Sequence, residues 1–186
     1  MFDDVFYKVC NPQFGKNLGG ELPLYIQTYP IQQQEEVDKQ LEYLESRLEK
    51  KGMPVIFIDA YRDICLRILK DRDILDNIME MEAEHSSDPI DLYGNIAYQM
   101  EPDEVKNIVE EKAADNPDAK TIFIVGIDRA FPMLRAHVIL SNMQQMASSH
   151  NIILFYPGSY NNQHMSLFDR LPQENYYRAY NLDDIK

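Results

Sequence analysis

Two aspartates occupy positions where a metal-binding carboxylate could act. Asp59 and Asp128 each stand near the end of an apolar run that predicts a β-strand. Carboxylates at such positions can hold a divalent cation. Helix capping or turn formation explains the same residues and is favoured, because two acids without a phosphate-binding loop are weak evidence for a metal site.

A phosphate-binding loop does not follow the first predicted strand. Nucleotide-binding α/β domains carry a glycine-rich turn there, so that backbone N–H groups can cradle phosphates. Here the turn is YPIQ (29–32), which contains neither glycine nor lysine. The segment FGKNLGG (14–20) has suitable residue types, but it precedes the strand and lacks the required spacing. We therefore predict no cofactor.

Nucleophile and metal-ligand patterns are also missing from the sequence. Ser159 lies in PGSY, which does not have the GxSxG pattern of a nucleophile elbow. The histidines His85, His137, His150 and His164 have no metal-ligand spacing among themselves. We predict no catalytic residue and no metal site, and hence a protein that is not an enzyme.

Arg135 and His137 interrupt an otherwise apolar segment that predicts a helix over about 132–148. Burying a charged arginine without partners is costly. Arg135 therefore needs a carboxylate or carbonyl groups nearby, or it reaches the loop edge of the sheet. Internal pairing and contact with a ligand or partner both remain open.

Arginine and tyrosine recur in the last thirty residues of the chain. Arg178 stands among Tyr176, Tyr177 and Tyr180, where a guanidinium can stack on rings while pairing with an acid. For Arg170 and Arg178, as for Arg135, internal pairing and contact with a ligand or partner both remain open. Both residue types are enriched at binding hot spots, but they can also fix the edge of a sheet.

The charge of the chain is unevenly distributed. The 186 residues carry a net charge of −13, yet from Thr121 onward five acids face five bases. An acidic chain is a poor partner for the nucleic-acid backbone, so we expect no strong direct nucleic-acid binding. Cys10 and Cys65 are predicted to be reduced thiols in a cytoplasmic protein. No apolar run is long enough to predict a membrane span.

Short apolar runs alternate with amphipathic helical patterns along the chain. Strands are predicted at 22–30, 53–60, 121–126, 151–156 and 175–182. This alternation predicts an α/β fold of three layers: a mostly parallel sheet of about five strands, with helices on both faces. We expect a single domain over 1–186, with an N-terminal extension at 1–20 and a core at about 21–183.

Ligands of such sheets lie beyond the carboxyl ends of the strands. Three predicted loops fall there, at 28–33, 126–132 and 157–164.

The C-terminal third also resembles the BrxB-type family, a small component of BREX (bacteriophage exclusion) anti-phage defence operons. A strand ending in Val-Gly is followed by Phe-Pro, Leu-Arg-x-His, Phe-Tyr-Pro-Gly-x-Tyr, Leu-Phe-x-Arg-Leu and Tyr-Tyr-Arg-Ala. The matching residues are Val125, Gly126, Phe131, Pro132, Leu134, Arg135, His137, Phe155, Tyr156, Pro157, Gly158, Tyr160, Leu167, Phe168, Arg170, Leu171, Tyr176, Tyr177, Arg178 and Ala179. The order of predicted strands and helices also agrees with this family from about residue 22 to 182.

This resemblance implies a cytoplasmic bacterial component of a phage-resistance system. Its associates there would be an ATPase, an alkaline-phosphatase-like protein and a DNA methyltransferase. The family has no established catalytic residues, in agreement with the missing nucleophile and metal-ligand patterns in this sequence. A core related to P-loop ATPases but without the phosphate loop would reconcile the two observations, by fold analogy alone.

Two hypotheses follow, one for an interaction protein and one for an enzyme. In the first, the chain is a non-enzymatic adaptor that docks a larger defence protein through a C-terminal aromatic and basic surface. The predicted partner-binding residues are Arg135, His137, Tyr156, Gly158, Tyr160, Arg170, Tyr176, Tyr177 and Arg178. In the second, the chain is a nucleotide- or small-molecule-binding enzyme that uses Asp59, Asp128 and the Ser159 loop at the carboxyl edge of the sheet.

Overall fold

Parallel strands form the centre of the protein. The computed structural model describes residues 1–16, 21–84, 88–172, 174–176 and 178–185; Tyr177, His85 and part of the 14–20 segment therefore lie outside the described residues. Within these ranges the strands are β1 (Leu24–Tyr29), β2 (Val55–Asp59), β3 (Thr121–Val125), β4 (Asn151–Tyr160), β5 (His164–Leu167), β6 (Glu174–Asn175) and β7 (Tyr180–Asn181).

Five of these strands pair in the order β2-β3-β4-β1-β7, and every neighbouring pair in this series is parallel. The register of β1 against β4 runs from Leu24 opposite Ile152 to Tyr29 opposite Pro157. Strands β5 and β6 continue from the far end of β4 as antiparallel additions. The predicted α/β fold with a mostly parallel sheet is thereby confirmed.

Side chains of the central strands alternate strictly between two apolar layers. On β4, Ile152, Leu154 and Tyr156 belong to one layer, whereas Ile153 and Phe155 belong to the other. A strand buried on both faces reads as a continuous apolar run because successive side chains point to opposite faces. This is why the strands could be recognised in the sequence.

Helices cover both faces of the sheet. The α-helices of the described residues are α1 (Asp3–Cys10), α2 (Gln34–Lys50), α3 (Leu66–Asp71), α4 (Leu75–Ala83), α5 (Pro89–Ala97), α6 (Pro102–Asp115), α7 (Ile127–Ala130) and α8 (Ala136–Asn142). Helices α1 and α2 bury apolar side chains in one layer, and α3 and α5–α8 contribute to the other. Helix α1, within the predicted N-terminal extension, buries Val5, Phe6 and Val9 in this way, and the preceding Phe2 is buried with them. None of the helices that the structure describes is long and apolar enough to cross a membrane.

The long helix predicted over 132–148 is wrong. Helix α8 begins only at Ala136 and ends at Asn142, and a 3₁₀ turn follows at Met146–Ser148. Phe131 is extended (φ −69°, ψ 138°), because the ring of the following Pro132 disfavours helical geometry. Arg135 consequently lies at the start of a helix rather than in the middle of one.

The predicted strand at 151–156 is too short, and the predicted loop at 157–164 is wrong. Strand β4 continues through Pro157 and Gly158 to Tyr160 and turns back as β5. Gly158 has φ 148°, and a Cβ added there would lie 2.1 Å from the carbonyl oxygen of Ser166. The strand therefore continues through the Pro-Gly pair, and the hairpin turn lies at 161–163. The last predicted strand, 175–182, divides into β6 and β7.

The junction of β3 and α7 gives a test of this backbone. Gly126 has φ 74°, and a Cβ there would lie 2.6 Å from Asp59 Oδ1. We predict that Gly126→Ala lowers the free energy of unfolding by about 1–3 kcal/mol, because a non-glycine residue is strained at this φ and displaces the carboxylate. Urea denaturation measures the change.

The matched control is Gly94→Ala, in an exposed part of α5 where an added Cβ meets nothing within 4 Å. It should raise the free energy of unfolding by about 0.4–1 kcal/mol, because alanine loses less backbone entropy in a helix. Equal effects of the two substitutions would contradict the account of Gly126.

Candidate functional site

An apolar pocket opens beside the end of β4. Its volume is about 260 Å³, and Tyr156 of β4 and Leu167 of β5 form part of its wall. The other lining residues come from α7, from the turn before α8 and from the chain around β6: Ile127, Phe131, Leu134, Arg135, Ala136, Leu171, Pro172 and Glu174. The predicted residues Arg135 and Tyr156 are therefore brought together at one pocket.

An ion pair and a hydrogen bond meet at Glu174, in the wall of this pocket. Arg135 Nη1 lies 3.2 Å from Glu174 Oε1, and His137 Nδ1 lies 2.7 Å from Glu174 Oε2. The Arg135 side chain is 54% exposed and that of Glu174 is 33% exposed. At this exposure the ion pair stabilises the fold by about 0–1 kcal/mol. Arg135 thus has the carboxylate that the sequence required, and it also faces solvent.

Three tyrosines of the predicted partner-binding surface lie among the described residues, and all three are buried rather than exposed to a partner. Tyr156, Tyr160 and Tyr176 are 3–6% exposed. The Tyr160 hydroxyl lies 3.0 Å from the carbonyl oxygen of Tyr176 and 2.7 Å from that of Ala179, and donates its proton to these acceptors. Burial raises the pKa of Tyr160 and of Tyr176 to about 12 each, so both rings are neutral at physiological pH. These side chains fasten the C-terminal segment to the core.

Two further arginines lie on the outside of the same region. Arg170 and Arg178 are exposed. Arg178 Nη1 donates to Gln144 Oε1 at 3.1 Å, so a neutral amide stands where the sequence suggested an acid. No side-chain partner of Arg170 is found among the described residues. The two guanidinium groups therefore keep most of their charge available to solvent.

A second concavity, of about 550 Å³, lies between α2 and α6 at the ends of β2 and β3. Its cations form internal ion pairs: Lys112 Nζ lies 2.8 Å from Asp63 Oδ2, and Arg129 approaches Asp38 and Asp59 at 3.5 and 3.0 Å. Glu42 and Glu45 of α2 also line it, and burial together with the charges of Glu49 and Glu42 raises the pKa of Glu45. The paired cations therefore leave little positive charge for an anionic ligand such as a nucleotide.

Asp59, one of the two candidate metal-binding carboxylates, is fully engaged. Its Oδ1 accepts from the backbone N–H groups of Tyr61 and Arg62, at 3.0 and 2.9 Å. Its Oδ2 accepts from Arg62 Nε and Arg129 Nη2, both at 3.0 Å. A carboxylate has about four acceptor positions, and all are occupied. The helix-capping interpretation is confirmed, since the carboxylate caps the π-helical turn at Ala60–Cys65.

The other chemical candidates do not assemble around Asp59. Burial raises the pKa of Asp128, and its Oδ1 has no hydrogen-bond partner among the described residues. Ser159 is an exposed residue of the β4–β5 hairpin. Across the part of the chain that the structure describes, no group of three or more His, Cys, Asp or Glu side chains could hold a metal ion.

The residues that complete both sites carry little signal in the sequence. Glu174, which holds Arg135 and His137, is separated from them by nearly forty positions, and only its place beside the tyrosine-rich segment could have marked it. The Arg62 contact had a local signal, because it lies three residues after Asp59 and follows the strand. The Arg129 contact had no local sequence signal, because Arg129 and Asp59 are 70 positions apart.

The Asp59 network gives a test through pH. Burial alone would raise the pKa of Asp59, but hydrogen bonds from Arg62 and the charge of Arg129 outweigh burial and hold it below its ordinary value of 3.8. The stability contributed by the ionised group is therefore present above about pH 4 and is lost as pH falls through the folded-state pKa. We predict that Asp59→Asn costs about 1–3 kcal/mol at neutral pH, because charged donors lose their partner.

Urea denaturation at several pH values checks this, with the exposed Asp118→Asn as the control, expected to change stability by less than about 0.5 kcal/mol. The difference between the parent chain and Asp59→Asn should shrink below about pH 4. A difference that stays constant with pH would contradict the role assigned to the carboxylate.

Comparison with known proteins identifies the family. No solved structure matches the chain, so a relation to P-loop ATPases remains a fold analogy. The BREX protein BrxB of Bacillus cereus is 27% identical over 98% of this chain and 95% of its own length. The BREX protein BrxB of Escherichia coli is 25% identical over 94% of this chain and 86% of its own length. The family model described as BREX protein BrxB matches residues 56–182, which include β3–β7, β2 except its first residue, and every residue that lines the apolar pocket. The chain therefore belongs to the BrxB family of the BREX phage-defence system.

Proposed function

We propose that this protein is a non-enzymatic adaptor of a bacterial BREX system, which docks a larger protein of that system through its C-terminal surface. We define the C-terminal surface as Arg135 in the wall of the apolar pocket, together with His137, Arg170 and Arg178. The observation that carries the proposal is an exposed arginine, Arg135, in the wall of an apolar pocket, with two more exposed arginines on the C-terminal segment, on a chain whose net charge is −13.

The charge contrast favours this surface over others. The first 120 residues carry 26 acids and 13 bases, whereas the remainder is balanced. An acidic partner would be repelled by most of the molecule and attracted to the arginines, so electrostatics would steer its approach to one side. Arginine beside a desolvated apolar pocket is also the usual composition of a binding hot spot.

The tyrosines have a different role in this proposal from that of the arginines. Tyr160 and Tyr176 are buried and hold the segment that carries Arg178, and Gly158 lets the hairpin close. Tyr156 is accessible to a partner only from inside the pocket. These residues therefore shape the surface, and the arginines and His137 make the contacts.

An adaptor role is supported over an enzymatic one by the state of Asp59. A general base or metal ligand needs a free acceptor position, and this carboxylate has four donors already. We propose that the partners are other BREX proteins, namely the ATPase, the alkaline-phosphatase-like protein or the methyltransferase. Strong direct nucleic-acid binding is not part of the proposal, and we place the complex in the cytoplasm.

Charge reversal tests the docking surface. Each of the other BREX proteins is co-expressed with this chain, and the affinity of any complex is measured with Arg170→Glu and Arg178→Glu. We predict a loss of about tenfold or more for the double variant, because attraction becomes repulsion at the interface. The thermal midpoint should stay unchanged, since both side chains are exposed.

The matched control is Lys39→Glu, the same charge reversal at an exposed position of α2. It should leave the affinity within about twofold of the parent chain. A complex that tolerates the double arginine variant but is lost with the control would place the docking surface elsewhere and contradict the proposal.

A further inference from the structure

We propose that the apolar pocket receives a large apolar side chain from the partner, and that Arg135 binds a carboxylate next to that side chain. The occupant is thus a short protein segment in which leucine or phenylalanine adjoins an acidic residue. This inference rests on the proposed docking function and names what the C-terminal surface recognises.

The size of the pocket favours a side chain as its occupant. Small-molecule sites usually enclose about 300–1,000 Å³, whereas this pocket has about 260 Å³. A cavity of roughly 150 Å³ already holds a benzene molecule. One leucine or phenylalanine side chain therefore fits, together with part of its backbone.

The walls of the pocket suit an apolar group. Leu134 and Ile127 are 1% exposed and Leu167 is 8% exposed, so they are fixed by the core before any partner binds. Because these wall residues do not rearrange, binding does not carry the entropic cost of ordering them. An apolar anchor in such a pocket is the common centre of a binding hot spot.

The guanidinium of Arg135 has donors to spare. Among the described residues it makes one hydrogen bond, from Nη1 to Glu174, and its side chain is 54% exposed. An arginine carries several N–H donors in a planar fork that matches a carboxylate. A second carboxylate can therefore bind without displacing Glu174.

Charge complementarity determines the charge of the partner residue that lies next to the apolar side chain in the pocket. The negative charge of Glu174 is offset by Arg135. Arg170, which is next in sequence to the pocket residue Leu171, adds exposed positive charge. An acidic residue next to the anchor gains from this field, and a basic one is repelled.

The pocket can be tested without the partner. The probe is 3-phenylpropionate, which joins a phenyl ring to a carboxylate, compared with the neutral 3-phenylpropan-1-ol and with propionate. Methyl-resolved NMR follows Ile127, Leu134 and Leu167. We expect saturable shifts of these methyl groups with 3-phenylpropionate, several-fold weaker binding of the alcohol, and none of propionate.

Substitutions assign the two parts of the site. Arg135→Gln should weaken the binding of 3-phenylpropionate several-fold and leave that of the alcohol unchanged, because only the carboxylate contact is lost. Leu171→Trp should abolish both by filling the pocket. Because Leu171 is partly buried, Pro172→Trp at the exposed rim serves as a second filling variant. Lys39→Glu is the control that should change neither.

Several outcomes would overturn the inference. One is an acid and an alcohol that bind equally well; another is methyl shifts that persist in both tryptophan variants. A complex with a BREX protein that is lost on arginine reversal but unaffected by both tryptophan variants would leave the docking surface standing and exclude the pocket. A parent chain that is a dimer and becomes monomeric in both variants would make a second copy the occupant, which also contradicts the inference.

Discussion

Strand β4 is the element on which the rest of this structure depends. Its first half is held between β1 and β3 in parallel register, and its second half pairs with β5. Tyr156 of this strand contributes to the pocket wall. Because the strand extends past Pro157 instead of ending there, it also forms the hairpin with β5. Loss of the glycine at position 158 would remove this continuation, since a Cβ there collides with the backbone of β5.

Most charged groups near the carboxyl edge of the sheet have internal roles. Asp59 joins the ends of β2 and β3 through Arg62 and Arg129, and Glu174 joins β6 to the start of α8. These contacts rigidify the edge where α/β proteins commonly bind ligands. The features that this edge still offers to a partner include a small apolar pocket with the exposed Arg135 in its wall. This division is more typical of a recognition surface than of a catalytic centre.

The sequence predicted the strands well, because continuous apolar runs such as TIFIV have few other structures open to them. It failed where a local signal was overruled by long-range contacts. Pro132 suggested a helix start, yet the chain stays irregular until Ala136. Pro157-Gly158 suggested a strand end, yet β5 supplies the pairing that continues it. Glu174 could not be assigned because its partners are remote in sequence.

Mapping a complex with another BREX protein by hydrogen–deuterium exchange tests the central claim most directly. Docking through the C-terminal surface predicts slower amide exchange on binding at residues 134–138 and 167–180, with α2 unchanged, because a partner seated over the pocket shields those segments from solvent. Slower exchange confined to α2 and the rest of the second concavity, with the C-terminal segments unchanged, would contradict it.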